Sequence, residues 1–370
     1  MKVLCIDVET TTNNRGNPFD SNNNLVSVAF NSDNNYNCCG SDYSDTVQRA
    51  ISEADVLVGF NIKFDLHWLR RTGYNISNIK VWDCQIAEFV LSRQRTKYPA
   101  LNDCLIKYGL EPKLDVVKTE YWDKGIDTNQ IPWDILAEYN IQDVKQTLEL
   151  YHKQQEIATP IQKRLIQLCC MDLLTLQEME YNGIHVDLDD CLTSCVAIKQ
   201  QINDITNKLQ NKYPHIPINF DSPDHLSAYL YGGIIKEDSK ELVGLFKTGL
   251  KANTPKYKNI VIEHQLSGFA KPIPGSELKK EGLYSTGESV LQQLKDKTGT
   301  VDLLLKFAQL TKVKEFFEGF IKINKDTNWP RNRIHGNFNQ VSTSTGRLSS
   351  TKPNLQNMCP ELQTFVRSEK

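Results

Sequence analysis

The sequence predicts an α/β domain at the start of the chain, followed by a mostly helical region. Two observations carry this. Short apolar runs alternate with helical periods as far as residue 157, and from Pro160 the period turns almost wholly helical. At 370 residues the chain exceeds one ordinary domain, so more than one folded unit is expected.

The first run, "KVLCIDV", is apolar on both faces, as a central strand covered on two sides would be. "LVSVAF" and "VLVGF" read as further short strands, and the Asn-rich "NNNLV...NSDNNYN" reads as turns. "NIKFDLHWLRRTG" then predicts a helix with Asn61 as N-cap and Gly73 as its stop. A short strand, "KVW", leads into the helix "DCQIAEFVLSR", which Asp83 caps, and His67 is expected to be a partly buried helix residue. A long helix from Trp133 to Ile157, with Pro132 at its first turn, closes the unit.

Beyond Pro160 the helical pattern breaks at "YNGIHVDLDD", where Gly183 ends one helix and Asp187 or Asp189 caps the next. Ser222 and Pro223 open another helix. Residues 236–280 are irregular and hold nine Lys against five acids. Helical period returns at "TGESVLQQLKD" and at "VDLLLKFAQLTKVKEFFEGFIKI".

Hydrophobic content of 39% and charged content of 24% are those of a globular chain. Asp7 breaks the N-terminal apolar run after six residues, too short and wrongly flanked for the pattern of a signal peptide, so a cytoplasmic location is expected. The ten cysteines form no CxxC pair, so zinc ligation and a disulfide framework lack support and reduced thiols are expected. A net charge of −2 advertises no polyanion partner, although local basic patches can hide in the sum.

Acids in an apolar strand require a cation or donors beside them, because an unpaired buried charge costs several kcal/mol. Asp7 and Glu9 in "CIDVETT" point to one side of their strand, about 7 Å apart along it, and can share a hard divalent cation. Asp65 lies one turn into the helix after "VLVGF", and Tyr139 and Asp143 share one helical face. That helix is expected to bury Ala137, Ile141, Val144, Leu148 and Tyr151, with Tyr139 and Asp143 on the flank of the stripe. Any one of these acids taken alone reads better as a helix cap or as the partner of a surface Lys. Together, four clustered carboxylates suit two Mg²⁺ or Mn²⁺ ions clamping the attacking and leaving oxygens of a phosphodiester. A tyrosine is a poor base at neutral pH, so Tyr139 is assigned to orienting water.

"DVET", "NIKFD" and "YNIQD" resemble the three motifs of the DEDD exonucleases in their tyrosine-bearing branch, as in the proofreading domain of family A DNA polymerases. Tyr139 stands four residues before Asp143, whereas the histidine branch carries His five before, where this chain has Glu138. The resemblance implies a ribonuclease H-like fold and 3′–5′ hydrolysis of DNA ends to nucleoside monophosphates. It implies Asp7, Glu9, Asp65 and Asp143 as ligands to two divalent cations, and a bacterial or phage-infected host cell.

"LLTLQEMEYNGIHVDLD" resembles the segment leading into the polymerase thumb, and "VSTSTGRLSSTKPNLQN" resembles the signature at the start of the palm. The implied division is an exonuclease domain at 1–158, a helical thumb at 159–333 and an incomplete palm at 334–370. By the same resemblance Arg347, Asn354, Gln356 and Asn357 touch the minor-groove side of a primer-template. Lys312 stands in a basic stretch from Lys306 to Arg333 that includes Arg331 and suits phosphate contact. "KVKEFF" departs from the family's usual residues, and the loop after "DVET" is polar where an apolar wedge is usual.

After Asp326 the only acids are Glu361 and Glu369, so the carboxylate pair for nucleotidyl transfer is expected outside this chain, which alone should not polymerise. Two other readings remain: a subunit that docks a partner chain carrying the rest of the palm and the fingers, and a free-standing ribonuclease D-like exonuclease on RNA.

Overall fold

A computed structural model describes residues 1–370 apart from 33–34, 114, 246–252, 295–297, 328–331, 359 and 368–370. The strands β1 (Val3–Thr10), β2 (Leu25–Ser32), β3 (Asn35–Cys39), β4 (Val56–Gly59) and β5 (Val81–Asp83) form one mixed sheet in the order β3-β2-β1-β4-β5. β2 runs antiparallel to β1 and β3, while β1, β4 and β5 are parallel. The Asn-rich stretch is therefore not all turn, because Asn35–Cys39 pairs with β2 as an edge strand. Its side chains are half-buried or exposed, so polar residues there cost little.

The helices of this unit are α1 (Asp45–Glu53), α2 (Lys63–Thr72), α3 (Cys84–Leu91), α4 (Leu101–Lys107), α5 (Val116–Glu120), α6 (Trp133–Ile157) and α7 (Pro160–Asn182). Ile6, Val28, Phe30, Leu57, Leu66, Trp68 and Leu69 pack into one core, each contributing about 1.5–3 kcal/mol by burial. Gly73 ends α2 in a left-handed conformation, as expected. Asn61 does not cap α2: it is itself left-handed, and the carboxylate of Asp83 accepts the Asn61 and Ile62 amides instead, at 3.3 and 2.9 Å. Asp83 also caps α3 through the Gln85 and Ile86 amides, so one buried acid fixes two helix starts.

α6 is rotated from its expected setting. Leu136, Tyr139, Asn140, Asp143, Val144, Thr147 and Leu150 are buried, whereas Ala137, Ile141 and Leu148 are only half-buried. Polar partners allow this: the Asn140 amide donates to Ser27 Oγ of β2 at 2.8 Å, and Gln154 donates to the Cys84 carbonyl at 3.0 Å.

Packing divides the chain into Met1–Cys191 with Glu318–Lys370, and Leu192–Phe317. α7 belongs to the first unit although the sequence reading begins the thumb at 159, because Ile166, Cys170 and Leu173 complete the sheet core. That unit also holds β6 (Ile184–Val186). The second unit contains most of α8 (Leu188–Gln210), then α9 (Pro223–Tyr231), β7 (Gly233–Leu245), β8 (Pro255–Leu266), α10 (Glu288–Leu291) and the first part of α11 (Thr300–Thr327). Its core gathers Leu209, Phe220, Tyr229, Leu230, Leu304 and Phe307.

The irregular reading of residues 236–280 is corrected here, since β7 and β8 form a long antiparallel hairpin. The ribbon pairs with itself and buries little besides Ile235 and Leu266, so it carries no strong hydrophobic period. The first unit ends in β9 (Arg333–Ile334), β10 (Asn337–Asn339), β11 (Ser349–Thr351), α12 (Pro360–Gln363) and β12 (Val366–Arg367). β12 and β9 flank β6, and β10 pairs with β11. Among the described residues no helix is long and apolar enough to cross a membrane, and nine cysteines are free thiols.

Candidate active site

In β1 the alternation of faces puts Cys5, Asp7 and Glu9 on the side covered by α6, where Cys5 Sγ donates to the Val144 carbonyl at 3.5 Å. The neighbour of Val144 in α6 is Asp143, and its carboxylate meets those of Asp7 and Glu9. One ligand oxygen from each lies within 4.8 Å of the others. Asp65 enters from α2, almost fully buried, and its Oδ1 accepts the Val8 amide at 3.0 Å. It lines the same cleft of about 320 Å³ as the other three acids, and Tyr139, Phe60, Phe64, Leu101 and Trp122 form the apolar walls.

Two contacts fix Tyr139. Its ring stands edge-on to Trp122 at 5.8 Å, and Lys113 Nζ lies 4.5 Å from the ring centre. Lys113 is the basic residue of the cleft, with Nζ 2.5 Å from Asp143 Oδ2. The sequence reading missed it, because an isolated Lys in "EPKLD" carries no motif or period.

Electrostatics follow from this crowding. Burial pushes the Asp7 carboxyl up to about 8, with the Asp143 charge adding to the shift and Lys113 opposing it. Glu9, Asp65 and Asp143 are raised too, first by burial; the other acids add to the rise for Glu9 and Asp65, and Lys113 holds Asp143 back. The Tyr139 phenol lies far above its ordinary value, again through burial and then the nearby carboxylates. It stays a neutral hydroxyl across the physiological range.

A divalent cation fits this donor set. All the donors are hard oxygens, and Asp143 Oδ1 is buried with no hydrogen-bond partner, a costly state that a cation would relieve.

None of the residues expected to touch DNA is among those lining the cleft. Arg347, Asn354, Gln356 and Asn357 are exposed in the 343–357 segment, where Asn354 Oδ1 accepts the Gln356 amide at 3.1 Å. Lys312 is exposed on α11. Arg331 lies outside the described residues. His67 is fully buried rather than partly so, held by Glu180 and Gln177. The polar loop after Thr10 is anchored through Phe19, which stacks on His335 at 4.0 Å, and through Arg71, which donates to the Pro18, Asp20 and Asn23 carbonyls.

Comparison with known proteins gives this geometry a family. The family model described as 3′–5′ exonuclease matches residues 1–158, and that described as DNA polymerase family A matches residues 259–369. The chain belongs to DNA polymerase family A. Among relatives of this family A chain, DNA polymerase I of Bacillus subtilis is 30% identical over 225 residues, covering 58% of this chain and 21% of its own length. The DNA polymerase of Bacillus phage SP01 is 24% identical over 321 residues, covering 83% of this chain and 34% of its own.

The chain thus spans about a fifth to a third of these curated relatives. A solved structure, the POL domain of Pol1 from M. smegmatis in complex with DNA primer-template and dNTP, matches with a TM-score of 0.64. That match covers 96% of this chain and 52% of the other at 20% identity, which establishes a shared fold.

Proposed function

We propose that this family A chain is a metal-dependent 3′–5′ exonuclease that removes nucleoside monophosphates from DNA ends. One observation carries the reading: three carboxylates within 4.8 Å, joined in one cleft by Asp65 and Tyr139, with an orphaned oxygen on Asp143. Asp7, Glu9, Asp65 and Asp143 would hold two divalent cations, Mg²⁺ or Mn²⁺. When bound, these cations supply an activated water near neutral pH and stabilise charge on the leaving 3′ oxygen.

The residues of the chain do the rest. Tyr139, neutral and rigidly seated, offers a hydroxyl that orients water toward the phosphorus. Phe60, Phe64, Leu101 and Trp122 give apolar surface on which the terminal nucleoside can rest. Arg347, Asn354, Gln356 and Asn357, with Lys312, are assigned to primer-template contact, the first four on the minor-groove side.

The test is digestion of 5′-labelled single-stranded DNA with Mg²⁺ or Mn²⁺, beside the Asp7→Ala, Glu9→Ala double variant. Stepwise shortening by the parent and its loss in the variant are expected. Digestion by both at one rate would remove the assignment, and preference for an RNA strand would favour the ribonuclease D-like alternative.

A second reading, docking of a partner chain that completes palm and fingers, is supported by Ile161, Leu165, Leu168 and Met171, which leave an exposed apolar stripe on α7. Its test is restoration of primer extension on mixing with such a partner. Extension by this chain alone would defeat it.

A further inference from the structure

Besides the acids, the cleft contains one fixed positive charge. Lys113 is not a surface lysine that happens to reach inward, because the backbone leading into it is fastened to two helices. Its amide donates to Asn102 Oδ1 of α4 at 2.9 Å, and Gln146 of α6 donates to the carbonyls of Glu111 and Pro112 just before it, at 3.2 Å each. Gln146 is nearly fully buried and stands three residues after Asp143 on the same helix. The anchor and the acid therefore move together.

Lys113 is the one Lys or Arg among the described residues that line the cleft, and it faces Asp143, Tyr139, Asp7 and Glu9. Its ammonium engages Oδ2 of Asp143 and leaves Oδ1 of the same carboxylate without a partner. One oxygen of this carboxylate is thus neutralised while the other stays buried without a protein partner.

We infer that Lys113 is a built-in counter-cation: it holds the acidic cleft together before metal arrives and competes with the first divalent ion for the charge of that cleft. The inference rests on the metal-site reading above. Physically, a fixed positive charge lowers the repulsion among Asp7, Glu9 and Asp143 in the empty cleft, so it stabilises the metal-free protein. The same charge repels an incoming divalent ion a few ångströms away, so it weakens metal binding. The two effects share one cause and have opposite signs, which a merely structural lysine would not produce. A structural lysine, once removed, would weaken both folding and metal binding.

The experiment is a Mn²⁺ titration followed by electron paramagnetic resonance on the full chain, with thermal melting in EDTA and in saturating Mn²⁺. The variants are Lys113→Met, Lys113→Gln, which keeps a neutral donor near Asp143, Lys113→Arg and Asp143→Asn. Lys113→Met and Lys113→Gln are expected to bind the first Mn²⁺ at least tenfold more tightly than the parent. Both should melt below the parent in EDTA and recover in Mn²⁺, while Lys113→Arg should stay near the parent. If Lys113→Met does not fold, Lys113→Gln alone decides. An unchanged or weaker Mn²⁺ affinity in a neutral variant that shows the circular dichroism of the parent overturns the role of Lys113 alone, provided the parent binds and Asp143→Asn does not. Failure of the parent to bind Mn²⁺, or binding by Asp143→Asn equal to the parent, overturns the metal-site reading and this inference with it.

Discussion

Replacing Asp7 by Asn should stabilise the metal-free protein, a reversal of the usual cost of changing a half-buried residue of a central strand. Unit charges 4.8 Å apart at an effective dielectric near 20 repel by about 3.5 kcal/mol, and the Asp143 carboxylate is such a neighbour of Asp7. Attraction to Lys113 offsets much of this repulsion, but the cost of desolvating the Asp7 charge adds to it, leaving a net gain of about 3 kcal/mol, or about 6–12 °C in Tm for a unit of this size. The gain depends on pH in a defined direction. The Asp7 carboxyl is raised to about 8, so the folded protein holds that proton more tightly than the unfolded chain does. Metal-free stability of the parent therefore falls as pH rises from about 4 through 8.

At pH 4 Asp7 is neutral in the folded parent and largely so in the unfolded chain, and Asp7→Asn should differ from the parent by less than about 2 °C. At pH 8.5 the full difference should appear. Differential scanning calorimetry in EDTA at the two pH values measures this, with Mn²⁺ added in a second series, where only the parent should gain. A lower Tm for Asp7→Asn, or the same rise at both pH values, would refute the reasoning.

Tyr139→Phe should slow cleavage by about a hundredfold, the low end for a group that handles a reacting proton or water, while Mn²⁺ affinity changes less than about twofold. Single-turnover digestion and metal titration check the two halves, and loss of Mn²⁺ binding would contradict the assignment. Glu180→Gln should destabilise by about 3 kcal/mol, because Glu180 accepts Lys63 at 2.6 Å and His67 at 2.9 Å and its loss leaves the Lys63 ammonium with the Phe338 carbonyl but without a counter-charge. Burial works against ionisation of Glu180, yet the His67 hydrogen bond and the Lys63 charge outweigh it and hold the carboxyl below its ordinary value. That stability is present above the ordinary carboxylate range and is lost as pH falls through it, so the melting deficit of the variant should narrow in acid. Lys312→Ala should weaken primer-template binding evenly across sequences and reduce the salt slope by about 1, with an unchanged slope counting against a phosphate contact.

The acids were legible because their setting is anomalous. Asp7 and Glu9 interrupt an apolar strand at a spacing of two, and Asp143 pairs with Tyr139 at a spacing of four, so period alone places each pair on one face. What escaped was whatever depends on particular hydrogen bonds. An apolar wheel misjudges α6 by about one residue because that helix buries Asn140, Thr147 and Gln154, whose partners lie far away in sequence. Asn61 looks like a helix cap, but Asp83 from the next strand takes that duty, 21 and 22 residues away. The β7–β8 ribbon has no buried face to impose alternation, and β3 lies at a sheet edge where polar residues are tolerated. Lys113 is invisible to any pattern, since three contacts from α4 and α6 create its position.

The central claim is that Asp7, Glu9, Asp65 and Asp143 form one metal-binding cleft. Anomalous diffraction from crystals soaked in Mn²⁺ tests it most directly. Manganese density between the Asp7, Glu9 and Asp143 carboxylates, within about 2.0–2.3 Å of their oxygens and touching the orphaned Asp143 Oδ1, is the predicted result. Manganese bound only elsewhere, with Lys113 still on Asp143 and the cleft unchanged, would contradict it.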